Sequence, residues 1–151
     1  MAQRKPLHGS ACPVARSVDT MGDRWSLLIV RDAFDGLRRF SEFQRSLGVA
    51  KNILADRLRT LVAQGILETG PAAEGSAYQD YALTAKGQAL FPVIVGLRQW
   101  GEQHLFAPDE PHSVLKDRAT GQPVPPMDVR GENGLVLVPQ MTVVEKLKTE
   151  P

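Results

Sequence analysis

A single cysteine in 151 residues leaves no internal disulfide to be made. No apolar run approaches the roughly 20 residues that a membrane-spanning helix needs, because Arg, Asp or Gly interrupts the longest candidates. The opening MAQRKPLHGSACPV lacks the long apolar core of a secretion signal, so a cytoplasmic protein with no membrane partner is expected. Cys12, His8, His104 and His112 fall into no recognisable ligand spacing. There is no glycine-rich phosphate loop and no Ser-His-Asp order. Neither a metal, a cofactor nor a catalytic activity is therefore expected. The formal net charge of +1 looks too small for a nucleic-acid binder.

The charges are unevenly placed, however. Residues 1–65 hold 11 Lys or Arg against 6 acids, a balance of +5, while residues 66–151 hold 7 against 11, a balance of −4. A basic half of this kind is the electrostatic footprint of a nucleic-acid reader. The length suits one domain with a real core and an appendage, which composition divides at 1–107 and 108–151.

The basic half ends in two helical patterns separated by a tight turn, and a strand, loop and strand follow. Ser41, followed by Glu42 and Gln44, has a capping-box spacing, so a short helix should begin there and stop at Gly48, with Val49 packing inward. From Ala50 to Gln64, Leu54, Leu58, Leu61 and Val62 recur at helical spacing, and Lys51, Asn52, Asp56 and Arg59 fall largely off that stripe. Arg57 lies at the edge of the exposed face. Gly65 should close the helix as a left-handed cap. Ile66 to Thr69 and Tyr78 to Leu83 read as strands joined by a loop that contains Ser76. A helix presenting Lys and Asn at its exposed start is suited to a DNA major groove, where lysine meets guanine or phosphate and asparagine pairs with adenine. The plainer reading is a solvated polar face.

Upstream, Pro13 opens a helix with Val14, Val18 and Met21 in a stripe, which puts Cys12 at or beside the N-cap. There the helix dipole favours a thiolate, although a capping or packing cysteine needs no such chemistry. Asp23 caps a second helix, Arg24 to about Phe34, with Trp25, Leu28, Ile29 and Ala33 facing the core; Arg38 and Arg39 then form an extended approach, well placed for phosphates. After the wing, Thr84 caps a long apolar helix carrying Leu90, Ile94, Leu97, Trp100 and Leu105, which Pro92 should kink or split. Its surface exceeds what one chain can cover, so dimerisation through this helix and the first is expected. Beyond Pro108, turn signals at 119–122 and 132–134 and candidate strands at 135–138 and 142–144 predict a small β-rich extension.

In order, Cys12-Pro13-Val14, Gly22-Asp23-Arg24-Trp25, Arg39-Phe40-Ser41-Glu42-Phe43, Leu54-Ala55-Asp56-Arg57-Leu58, Gly65-Ile66-Leu67 and Leu83-Thr84-Ala85-Lys86-Gly87 make residues 12–105 resemble the HxlR family of bacterial transcriptional regulators. The resemblance implies a mainly α, dimeric winged helix-turn-helix related in shape to MarR-type regulators. It implies a repressor or activator of pseudo-palindromic operators in double-stranded DNA, with the 50–64 helix in the major groove and the wing near a minor groove. Some members use a cysteine matching Cys12 to sense electrophiles or oxidants; others bind a small-molecule effector near the dimer interface, here around Val14, Trp25, Leu97 and Trp100. The expected DNA-contacting set is Arg38, Arg39, Ser41, Lys51, Asn52, Asp56, Arg57, Arg59 and Ser76.

Two departures stand out. The wing from Gly70 to Gln79 has Glu74 and no Lys or Arg, whereas family wings are often basic. Some longer members with such an extension carry cysteine pairs in a zinc-ribbon-like arrangement, but Thr120, Arg130 and Asn133 stand near those places here and no zinc is expected. The alternative function is a winged helix that binds protein without sequence-specific DNA recognition, and the lack of basic residues in the wing favours it.

Overall fold

The computed structural model describes residues 7–71 and 79–148, which fall in two compact units, residues 1–91 and 92–151. The first unit contains α1 (Pro13–Met21), α2 (Arg24–Phe34), α3 (Phe40–Leu47), α4 (Lys51–Ala63), β1 (Leu67–Pro71), β2 (Gln79–Leu83) and α5 (Ala85–Gln88). This is a helix-turn-helix followed by an antiparallel two-stranded wing, in which Leu67 pairs with Leu83 and Pro71 with Gln79. The wing tip, including the expected Ser76 contact and the start of the second strand at Tyr78, lies outside the described residues. No helix among the described residues is long and apolar enough to cross a membrane.

The predicted punctuation explains most boundaries. Asp23 caps α2, its carboxylate accepting from the Ser26 amide at 3.0 Å. Gly48 and Gly65 both take positive φ, 64° and 73°, where a side chain would be strained. After Gly65 the chain turns back, and the Ile66 amide donates to the Leu61 carbonyl at 3.0 Å, closing α4 in a Schellman pattern. Pro92 splits the last predicted helix, as expected: α5 ends at Gln88 and α6 runs Phe91–His104.

One cap differs. Ser41 does not begin α3; Arg39 is its N-cap, with no side-chain cap bond, and Ser41 lies exposed within the first turn. Glu42 supplies the acceptor instead, its Oε2 taking the Arg38 amide at 3.1 Å. The reason is tertiary. Arg39 bridges to Asp80, and the Tyr81 amide donates to the Arg38 carbonyl at 2.7 Å, so residues 38–39 are held extended beside β2 and the helix starts directly after them.

The core of this unit is formed by the expected Ile29 and Ala33 of α2 and Leu54, Leu58 and Leu61 of α4, joined by Val30, Phe43 of α3, Val49, Ile66 and Leu67. Trp25, Leu28 and Val62 are half-buried. Two motifs far apart in sequence meet here. The Thr84 hydroxyl donates to the Gly65 carbonyl and accepts from the Gly87 amide at 3.1 Å, while Lys86 Nζ donates to the Gln64 carbonyl at 2.7 Å. A Cβ on Gly87 would stand 2.2 Å from the Ile66 carbonyl oxygen, so only glycine fits against the end of α4.

In the second unit, α6 is followed by an extension without a continuous strand among the described residues. It makes isolated bridges, Lys116 with Pro123 and Arg130 with Val136, and a 3-10 turn at Pro139–Met141. Both predicted turns form, with Gly121 and Gly134 at positive φ. The strands expected at 135–138 and 142–144 do not lengthen into ladders. Prolines at 123, 125, 126 and 139 offer no amide hydrogen to a neighbour.

Candidate nucleic-acid interface

The start of α4 is an exposed turn of the helix-turn-helix. Ala50 is its N-cap and supplies no side-chain acceptor; no acid occupies the first turn. Free first-turn amides together with the dipole favour an anion such as phosphate. Lys51 and Asn52 are exposed on this turn, and Arg59 projects from the same helix two turns on. Asp56 is exposed and turns to its neighbours: 2.8 Å from Arg57 Nη1 and 3.9 Å from Arg59 Nη1.

Arg57 is already engaged. Its Nε lies 3.0 Å from Asp23 Oδ2, so the guanidinium joins the cap of α2 to the middle of α4. Burial pushes the Asp23 carboxyl up, but hydrogen bonds from Ser26 and the charge of Arg57 outweigh it and hold the group below its ordinary value. This geometry makes Arg57 a brace that fixes the angle of α4. Its partner lies 34 residues away, a pairing that periodicity does not reveal.

Arg38 and Arg39 diverge. Arg38 Nη1 donates to the Ala33 and Leu37 carbonyls, both at 3.0 Å, covering the end of α2. Arg39 stays half-exposed with Asp80 at 3.8 Å. Arg38 also borders a cleft of about 580 Å³ with Phe34, Leu83, Gln88 and Phe91. Sequence reasoning passed over Arg45, an exposed base on the last turn of α3 and on the same face as Ser41, four residues earlier. Its i, i+4 relation to Ser41 was the available signal.

The expected effector residues are distributed over both units. In the first, Val14 on α1 is 69% exposed, and Trp25 on α2 carries the Arg24 guanidinium 5.7 Å from its ring centre. In the second, Leu97 and Trp100 are exposed on α6, and Trp100 lines a cleft of about 650 Å³ with Gln99, Gln103, Val124 and Met127. Cys12 is half-buried at the N-cap of α1 and makes no side-chain cap bond, while its amide donates to Ser10 Oγ at 3.1 Å.

Comparison with known proteins agrees with this geometry. An uncharacterized HTH-type transcriptional regulator of Mycobacterium tuberculosis is 39% identical over 113 residues, covering 75% of this chain and 72% of its own. The crystal structure of PA1607, a candidate transcription factor, superposes with a TM-score of 0.89 at 54% identity, over 94% of this chain and 99% of that one. The redox regulator HypR in its reduced form gives a TM-score of 0.58 at 29% identity, over 62% of this chain and 94% of that one. The HxlR-like helix-turn-helix family matches residues 20–109. With the ordered motifs, the winged fold and these likenesses, the chain belongs to the HxlR-like helix-turn-helix family of transcriptional regulators.

Proposed function

We propose that this regulator binds a pseudo-palindromic operator as a homodimer, with α4 of each copy in the major groove and the wing beside it. The observation that carries the reading is the exposed Lys51-Asn52 pair at a helix start whose amides have no side-chain cap. Exposed apolar residues on α1, Val14 and Val18, and on α6, Leu97 and Trp100, supply surfaces for dimerisation. Selection of bound sequences from a random DNA library is the direct test. It should return inverted half-sites about 34 Å apart, or a multiple of that. Recovery of no common sequence would favour the protein-binding alternative.

Within that operator, Asn52→Ala should relax preference at one base position by roughly 1–3 kcal/mol, because a bidentate contact to adenine is lost. Arg39→Ala should weaken all sequences alike. Binding of each variant to a panel of single-base operator mutants separates the two. Equal weakening by Asn52→Ala on every operator would mean that α4 does not read bases through this residue.

Control by an effector belongs to the same proposal, either a small molecule or modification of Cys12. HypR is a redox regulator with structures in reduced and oxidized forms. Cys12 stands at the start of α1, whose apolar side chains Val14 and Val18 face outward, so an adduct there would disturb a helix proposed to meet the partner. Oxidant or quinone treatment should release the parent protein from DNA and leave Cys12→Ser bound. Equal release of both would place the control elsewhere.

A further inference from the structure

The second unit has an apolar surface that DNA reading does not use. Among its described residues, Val95 is the one large apolar side chain that is fully buried, whereas fifteen large hydrophobics, from Val93 to Leu147, are exposed. At the areas that full burial of such side chains implies, they present on the order of 1,000 Å² of apolar surface. A stable interface needs about 800 Å² per partner.

This surface is held in place. The Gln99 side-chain amide on α6 clips the extension through both of its polar atoms: Nε2 donates to the Pro125 carbonyl at 3.0 Å and Oε1 accepts from the Met127 amide at 2.7 Å. Arg98 Nη1 adds a bond to Ser113 Oγ at 2.8 Å. The clip joins the extension to α6, the helix whose exposed Leu97 and Trp100 are proposed above to meet the partner copy.

Charge decides among occupants. Residues 92–148 hold 6 Lys or Arg against 7 acids, a balance of −1. DNA would require a cationic excess. A nearly neutral apolar face neither attracts DNA nor repels an identical copy.

We propose that the occupant is a second copy of this chain, and that the extension clipped to α6 is an integral part of the dimer interface. The inference rests on the homodimer reading and adds the surface that completes it.

Sedimentation velocity on the full chain across a concentration series tests it, with Val129→Glu combined with Leu135→Glu. Both side chains are exposed in the single chain, 67% and 61%, so the fold should survive, as far-UV circular dichroism will verify. The milder pair Val129→Ser and Leu135→Ser guards against misfolding of the glutamate pair. The dimer dissociation constant should rise at least about 100-fold in the glutamate variant, as expected when charges enter the centre of an apolar contact. A folded variant that dimerises like the parent overturns the proposal. If Leu97→Glu is then monomeric, the interface is confined to the helix and the homodimer reading stands. A parent chain that is monomeric at about 100 μM overturns both and assigns the surface to a different protein.

Discussion

Raising salt from about 50 to 200 mM is expected to weaken operator binding at least about 10³-fold. Each copy presents Arg39, Arg45 and Arg59 and the exposed Lys51 on the helix-turn-helix, eight cations in a dimer. If six of these neutralise phosphates, counterion release gives a logarithmic slope of roughly −5, enough for that loss over a fourfold change in salt. Arg57 should contribute little, because Asp23 and Asp56 already hold it. The overall charge of +1 hides this behaviour, since the +5 of residues 1–65 is offset by the −4 of the remainder. Fluorescence anisotropy with labelled operator at several salt concentrations gives the slope directly. A slope near zero would remove the electrostatic basis of DNA binding and favour a protein partner.

Much of the fold was legible because local chemistry decides it. Asp23 before an apolar run, Gly48 and Gly65 after helices, and Pro92 within one each act through their own backbone and need no distant partner. The winged region was legible for the same reason: its helices carry apolar stripes at helical spacing, and the Leu54, Leu58 and Leu61 row is the buried row of α4. The exposed Lys51 and Asn52 follow from that row, since residues off the stripe face solvent.

What escaped the sequence depends on contacts between distant segments. Ser41 has the composition of a cap, but the start of α3 is set by Asp80 and Tyr81 on β2, about 40 residues further on. Arg57 lies on the edge of an exposed face, and its ion pair with Asp23, 34 residues earlier, is one that helical spacing does not reveal. The extension has β-branched runs with strand propensity, but propensity cannot form a ladder where the facing segments offer prolines and turns.

Phe43→Ala is expected to lower the unfolding free energy by about 3–5 kcal/mol, the range for deleting a fully buried phenylalanine. Phe43 is 0% exposed and meets Tyr81 of β2 edge-on, with ring centres 6.4 Å apart and planes at 83°. The ring therefore joins the helix-turn-helix to the wing. α3 has eight residues, too short to persist without tertiary packing, so losing this anchor should detach it from α2 and α4. Total stabilities of small domains are about 5–15 kcal/mol, so the loss removes a large share of what holds this unit folded. Urea denaturation followed by circular dichroism measures the loss, and Phe43→Leu, which keeps most of the volume, should lose clearly less. Ser41→Ala serves as the matched surface change in the same helix. Because Glu42 takes the Arg38 amide and Ser41 makes no cap, it should stay within about ±0.5 kcal/mol of the parent, whereas a true cap would cost about 1 kcal/mol. A Phe43→Ala loss under about 1 kcal/mol would mean that the site collapses around the missing ring and that α3 is not anchored there.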